Sequence, residues 1–385
     1  MMKRFYLLAY PALLALSSCS NEANENGILD KTDAISFAAY PTKSRVVGAD
    51  ITSDNMKGDN FGVAGYSNNA IYLNKFTNGV EQKWDATSST WEYANLADLK
   101  FWPENNMDFY AYFPYTDNAI FAATNNDAGN STVMTIPNVD CSHDVLFAFA
   151  GNQSKQTRVP LTFHHAFSKI KTLQIEMPAE GIVYKSGCQV EISSAEFIYT
   201  RTKGDVNVDK DGAASYNVAE SNLTLKETLS PSRIINSTNT STNIIDYDTS
   251  SKGYFFATNG TPAVNNVIGT GALMWDGVKA NIGETSKLST SGLVCLKLTC
   301  KVWNGTSHYY VGSADTYGEV YIPLKGLDAD PNGVSTFDAG KRYIYKIVMK
   351  DNVGFTDAGD PILTPILFRV NSVDDWSDVT VTITL

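Results

Sequence analysis

From residue 34 onward the apolar positions come in short clusters, separated by turns rich in Asn, Gly, Asp and Ser. The clusters fall at 61–66, 91–93, 109–115, 132–136, 145–150, 159–163, 170–176, 190–201, 293–303, 319–324, 343–349 and 379–385. Short strands at such spacing predict an all-β protein of sandwich or barrel type. An earlier run, 34–40, alternates with period two: Ile35, Phe37 and Ala39 on one side, Ala34, Ser36, Ala38 and Tyr40 on the other. That period is the mark of a strand with one buried face. The final run has the same form, with Val379, Val381, Ile383 and Leu385 set against Thr380, Thr382 and Thr384. No long segment repeats at the helical period, and helix is expected only as single turns near 95–99 and 164–168. Strands never alternate with long helices, which excludes a doubly wound α/β enzyme.

Before residue 34 the pattern changes. Lys3 and Arg4 precede an apolar stretch at 5–16, and Leu16-Ser17-Ser18 precede Cys19. A charged start, a short apolar core and small residues make a secretory signal. The stretch is shorter than the roughly 20 residues of a membrane-spanning helix. A cut placed before a cysteine resembles the bacterial lipobox, in which the cysteine sulfur is diacylated and the new amino end acylated as well. Several chains anchor far more firmly than one. The mature protein is therefore expected to begin at Cys19, tethered to a membrane by lipid and facing outward. Residues 1–18 read as the signal, 19–33 as a polar, acidic tether, 34–180 as a first β domain and 181–385 as a second. The border is set where the strand pattern pauses, at 178–187. Residues 220–290, rich in Ser, Thr, Asn and Gly and with weaker strands, read as long surface loops inserted in the second domain.

Composition supports sheet. The chain has 20 tyrosines, 18 phenylalanines and six tryptophans, residues that favour strands. Its formal charge of −11 becomes −13 once Lys3 and Arg4 leave with the signal. Such a surface repels nucleic acid and anionic head groups, and excludes nucleic acid as a partner. Of the five cysteines, Cys19 is the lipid-bearing one. Cys295 and Cys300 fall on opposite faces of one strand and cannot pair with each other. Cys300 is expected as a small core residue. Cys141 and Cys188 are the pair that a bridge would join, and the sequence leaves that open.

Candidate chemistry is sparse. His143, His164, His165 and His308 show no metal-ligand spacing; for the pair His164-His165 the expectation is one packed, hydrogen-bonded ring and one exposed ring. Asp328, Asp330, Asn332 and Gly333 match the opening of a calcium loop, but Ala339 stands where a bidentate Glu belongs. Asn207, Asp209, Asp211 and Gly212 do the same, with Val218 in that place. Hairpin turns account for both stretches as well as calcium does. Trp84, Trp91 and Trp102 suit either a sugar platform or a core, and sandwich cores favour large aromatics. No cofactor is implied and no catalysis is expected.

At Asn60-Phe61-Gly62-Val63-Ala64-Gly65-Tyr66 the chain begins to resemble the fimbrillins, lipoprotein-precursor subunits of type V pili and their surface relatives. The resemblance continues in order through Ile35-Ser36-Phe37 with Arg45 behind it, Trp91-Glu92-Tyr93, Phe101-Trp102-Pro103 and the run 107–114. Further on come 144–148, 159–170, 337–343 and Asp374-Asp375-Trp376.

The resemblance implies two tandem transthyretin-like Greek-key β-sandwich domains and a pilus subunit, or a tip or anchor accessory, that mediates adhesion. In polymerising members an arginine-specific protease cuts behind the first strand, removing it with the lipid, and a donor strand from another subunit fills the slot. On this sequence the removable strand carries Ile35, Phe37 and Ala39, and the cut falls at Arg45, with Lys43 as the weaker candidate. Val379, Val381, Ile383 and Leu385 lie either in a donor strand or in the last strand of the second domain. The little chain beyond Trp376 favours the last strand, and with it a tip or accessory role. Partners implied are other pilin subunits, outer-membrane lipid through Cys19, and a host or bacterial surface receptor. The alternative reading is a surface glycan-binding lipoprotein, with Trp84, Trp91, Trp102, Trp275 and Trp303 as its aromatic stock.

Overall fold

The structure is a computed structural model. It describes residues 34–41, 51, 54–125, 132–176, 188–198, 203–218, 225–236, 238–239, 241–247, 250, 252–256, 295–304, 308–323, 339–348, 367–371 and 377–384. Its strands in chain order are β1 (Phe37–Pro41), β2 (Phe61–Ser67), β3 (Ala70–Leu73), β4 (Val80–Asp85), β5 (Thr90–Tyr93), β6 (Met107–Phe113), β7 (Ile120–Phe121) and β8 (Thr132–Asp140). Then come β9 (Leu146–Gln153), β10 (Val159–His165), β11 (Phe167–Glu176), β12 (Cys188–Ile198), β13 (Lys203–Asp209), β14 (Ala214–Val218), β15 (Leu225–Ile235) and β16 (Ser241–Asp246). The last are β17 (Tyr254–Phe256), β18 (Cys295–Asn304), β19 (His308–Val311), β20 (Gly318–Pro323), β21 (Lys341–Val348), β22 (Leu367–Asn371) and β23 (Ser377–Thr384). The protein is all-β, as its pattern predicts. The turn expected near 95–99 is a single 3-10 turn, Leu96–Asp98, whose first free amide, Ala97 N–H, donates to the Asn95 side chain at 3.0 Å.

The first sheet has the order β1-β10-β9-β6-β2-β4-β5, with β3 added to β2. Its central strands β2 and β6 are buried on both faces, which is why they read as near-continuous apolar runs. Along β6, Met107, Phe109, Ala111 and Phe113 enter one core, with Ile35, Phe37, Phe61, Trp91 and Phe163. Tyr110 and Tyr112 enter another, with Met134, Ile136, Val206 and Val208 of a four-stranded sheet ordered β14-β13-β8-β7. The sheet curls around the first core until its edges meet: Ala34 bridges Phe101, and Ile35 N–H donates to Lys100 C=O at 2.9 Å.

Two more sheets have the orders β16-β11-β21-β23-β22, with β17 on β11, and β15-β12-β18-β19, with β20 on β18. Phe197 of β12 meets Tyr345 of β21 with ring centroids 6.1 Å apart, so these two sheets face each other. Cys300 sits opposite Ile192 and is buried, the core residue the strand parity predicts. Burial pushes its thiol up to about 12.

Three expectations differ from what is observed. The stretch 164–168 is no helical turn: His164 and His165 end β10, and β11 starts at Phe167, because the alternation of buried and exposed residues runs on. Part of 220–290 is ladder, not loop, in β15, β16 and β17. There, Thr- and Ser-rich strands gain their order from the partners they pair with. The expected border at 180 is crossed in both directions. β11, before it, pairs with β16 and β21, while β13 and β14, after it, extend the sheet of β8. A pause in apolar pattern marks a loop, whereas membership of a sheet is set by pairing across long sequence distances.

Candidate functional site

The first strand is the element around which a site can be built. The alternation at 34–40 puts Ile35 and Phe37 fully inside, with Ala39 packed against the same core, and leaves Tyr40 exposed. Pro41 ends the strand, at an edge where a missing N–H costs no ladder bond. β1 lies parallel to β10, with Phe37 opposite Val159 and Pro41 opposite Phe163. Val159 N–H donates to Ser36 C=O at 2.8 Å, and Ser36 Oγ donates to Thr157 C=O.

The ring of Phe37 meets Phe109 at 5.4 Å and Phe61 at 6.3 Å, both edge-on. Burying side chains such as Ile35 and Phe37 is worth about 1.5–3 kcal/mol each. The segment 34–41 is thus held by the ladder to β10, by the Ala34–Phe101 bridge and the Ile35–Lys100 bond ahead of β1, and by two large side chains in a slot whose other walls are Phe61, Phe109 and Phe163.

Other segments singled out in the sequence come together. Lys169 of β11 stands opposite Arg342 of β21, and Ile170 opposite Tyr343, so the stretches 159–170 and 337–343 meet in one parallel ladder. Lys169 is buried; its Nζ donates to Ser250 C=O at 2.9 Å and lies 4.8 Å from the Tyr254 ring centroid. His165 and Asp144 are buried together, Nδ1 to Oδ2 at 2.6 Å, while His164 points out. That is the packed-and-exposed histidine pair the sequence suggests.

A family model described as fimbrillin-like matches residues 44–271. The chain belongs to the fimbrillin-like family. No curated protein matches it. Among solved structures it is similar to a fimbrial protein from Bacteroides vulgatus ATCC 8482, at 13% identity over 91% of this chain and 97% of that one, with a TM-score of 0.44. It is also similar to a fimbrilin from Porphyromonas gingivalis W83, at 10% identity over 93% and 98%, with a TM-score of 0.37.

Several of the residues expected to matter in a fimbrillin-like chain fall outside the described residues: Cys19, Lys43, Arg45, Trp275, Leu385, and the loop from Asp328 to Gly333. Val379, Val381 and Ile383 lie on β23, whose backbone pairs with β21 on one side and β22 on the other. The Asn207–Gly212 stretch ends β13 and enters the β13–β14 hairpin turn. There Asp209 Oδ1 accepts from the amides of Asp211 (2.9 Å) and Ala213 (2.8 Å), and Gly212 takes φ +82°. Its first carboxylate is thus spent on the turn. Among the described residues, no group of three or more His, Cys, Asp or Glu side chains could hold a metal.

Trp84, Trp91 and Trp102 pack on the first core, and Trp84 meets Trp91 at 5.6 Å. Trp303 stacks on Tyr309 at 5.9 Å.

One residue escapes the sequence reading. Gln82 is fully buried on β4. Its signal was a polar residue on the inward parity between Val80 and Trp84, in a strand whose charged neighbours hid the alternation.

Proposed function

We propose that this chain is a pilus subunit or pilus accessory protein, exported as an outer-membrane lipoprotein through acylated Cys19, and that it mediates adhesion and assembly without catalysis. The observation that carries the reading is the attachment of β1. It is an edge strand with one ladder partner, β10, yet it supplies Phe37 to the core, with Ile35 buried just ahead of it. If it left, β10 would show a row of unpaired N–H and C=O groups beside an apolar slot. Both are costly until another strand fills them. A strand from a neighbouring subunit does this by addition to the edge.

Arg45 follows Pro41 by four residues in a polar stretch and is the cut we assign. β23 is claimed on both sides by its own chain, which supports residues 377–384 as the last strand of the second domain. Two tandem sandwich domains remain the proposed architecture, with β11 and the β13–β14 hairpin exchanged across the border at 180. Partners are other pilin subunits, homo- or heteropolymeric, and a receptor on a host or bacterial surface.

Amino-terminal mapping of the protein taken from cells tests this. A start at Val46, together with multimers that persist in mild detergent, is the expected result for a processed subunit. A start at acylated Cys19 identifies a retained anchor. A start at Val46 in a protein that stays monomeric and takes up no strand would sink the proposal.

A further inference from the structure

Phe76 is the most exposed large apolar side chain among the described residues, at 89%. It lies in the loop 74–79 between β3 and β4, at φ +52°, a left-handed conformation that bulky residues rarely adopt. Every backbone carbonyl from 75 to 78 is tied. Lys75 C=O accepts from Asn78 N–H (3.1 Å), and Phe76 C=O from the Asn74 side-chain amide (3.1 Å). Thr77 C=O accepts from Phe121 N–H (3.0 Å), and Asn78 C=O from Tyr112 Oη (2.9 Å). Asn74 Oδ1 also accepts from the amides of Lys75 and Gly79, at 2.9 and 2.7 Å. The phenyl ring is therefore carried outward on a fixed frame. A preorganised group docks at low entropic cost, and aromatic anchors seated in pockets carry much of the energy of an interface.

The same molecule offers a recess of matching size. Where the two edges of the first sheet approach each other lies a cavity of about 230 Å³. Ile35, Trp91, Tyr93 and Leu99 are its buried lining, while Thr90, Glu92, Thr157 and Arg158 border it nearer the solvent. Leu96, 48% exposed, stands at the mouth. An apolar floor inside a polar rim is the anatomy of a protein contact. The volume lies below the roughly 300–1,000 Å³ of sites for drug-sized molecules and gives room for one aromatic ring. Lys75 Nζ lies 3.1 Å from Asp98 Oδ2, on the turn that carries Leu96, and Tyr72 Oη donates to Phe101 C=O at 3.0 Å. These ties set the exposed ring and the recess side by side.

We infer that the occupant of the recess is Phe76 of a second copy, in a two-fold dimer in which each subunit gives one ring and receives one. A two-fold axis passing between ring and recess satisfies both at once, the isologous arrangement commonest among dimers. Charge permits the approach: Lys75 is already paired with Asp98, and Glu92 and Arg158 balance at the rim. A phenyl ring buries roughly 150–250 Å². Two of them with their surroundings make an interface at the small end of the range, so the dimer is weak and reversible. Ala34 and Ile35 form part of the recess, so the contact belongs to the chain with its first segment seated. The inference rests on neither export nor strand donation.

Sedimentation equilibrium of the full chain, at concentrations up to about 1 mM, tests it. The native chain should show a reversible monomer–dimer equilibrium. Phe76→Ser and Leu96→Arg should each weaken it about tenfold or more. Both positions are exposed, so folding is not at stake. Mixing the two variants should restore part of the association, because one keeps the recess and the other keeps the ring. A native chain that stays monomeric, a Phe76→Ser variant that dimerises as tightly as the native chain, or a mixture that associates no better than its components overturns the proposal. So does a monomeric native chain that binds neutral phosphatidylcholine vesicles through Phe76, which would assign the ring to a lipid surface. Each of these outcomes leaves the mapping of Arg45 untouched, so the two readings fail separately.

Discussion

The ring of Tyr112 occupies the space in which Gly62 would carry a side chain. The two residues face each other across the β2–β6 ladder. The Tyr112 hydroxyl is pinned beyond the glycine, donating to Asn78 C=O at 2.9 Å and reaching Thr116 C=O at 2.7 Å. Gly65 repeats the arrangement opposite Phe109, where a Cβ would come within 2.9 Å of the ring. The glycines in the Phe61–Tyr66 stretch therefore serve a packing need, since they let aromatic rings of β6 cross over β2 on both faces of a doubly buried sheet.

Gly62→Ala should destabilise the protein by about 1–3 kcal/mol, the usual cost of overpacking a filled core. Tyr112 cannot swing aside without giving up its carbonyl contacts. The midpoint of urea unfolding followed by tryptophan fluorescence measures this. A midpoint equal to that of the native chain would show that the ring moves freely.

Phe37→Ala should cost about 3–5 kcal/mol, the range for emptying a large buried aromatic site. The loss should also loosen β1, since Phe37 is its largest buried side chain. Hydrogen exchange at the β10 amides is the sharper readout, because protection there should fall further than at β6 or β9. Uniform loss along the sheet would mean that β1 is not separately removable.

Glu191 Oε1 accepts from Ser232 Oγ and from Tyr317 Oη, both at 2.6 Å. These bonds, that from Ser232 foremost, hold its carboxyl below the usual carboxylate range. A carboxyl whose folded pKa lies below its unfolded value adds stability above the unfolded value, near 4.3, and loses it as pH falls through the folded one. Between about pH 6 and pH 3 the urea midpoint of the native chain should therefore fall further than that of Glu191→Gln. Parallel curves for the two proteins would show that Glu191 does not contribute.

Much of the fold could be read from local alternation. Ile35 and Phe37 are buried and Ala39 packs on the same core, as the period-two pattern states, while Ala34 of the outward set is buried too; the buried face of Cys300 is as its strand parity states. The runs at 61–66 and 109–115 are near-continuous because both faces of their sheet are covered. Gln82 stayed hidden because Glu81, Lys83 and Asp85 mask the alternation of its strand. The pairing of Lys169 with Arg342 was equally out of reach, since 173 positions of chain separate the two.

By itself the sequence determined that the chain is built of strands and, in runs such as those of Phe37 and Cys300, which parity faces inward, because side-chain alternation is a property of a few consecutive residues. Only the tertiary structure decided which strands become neighbours. It placed β13 beside β8, put β1 at an edge, and buried Gln82 of β4 in the core with no hydrogen-bond partner in the chain for its amide. Those choices depend on burying surfaces contributed from distant parts of the chain, and no local period records them.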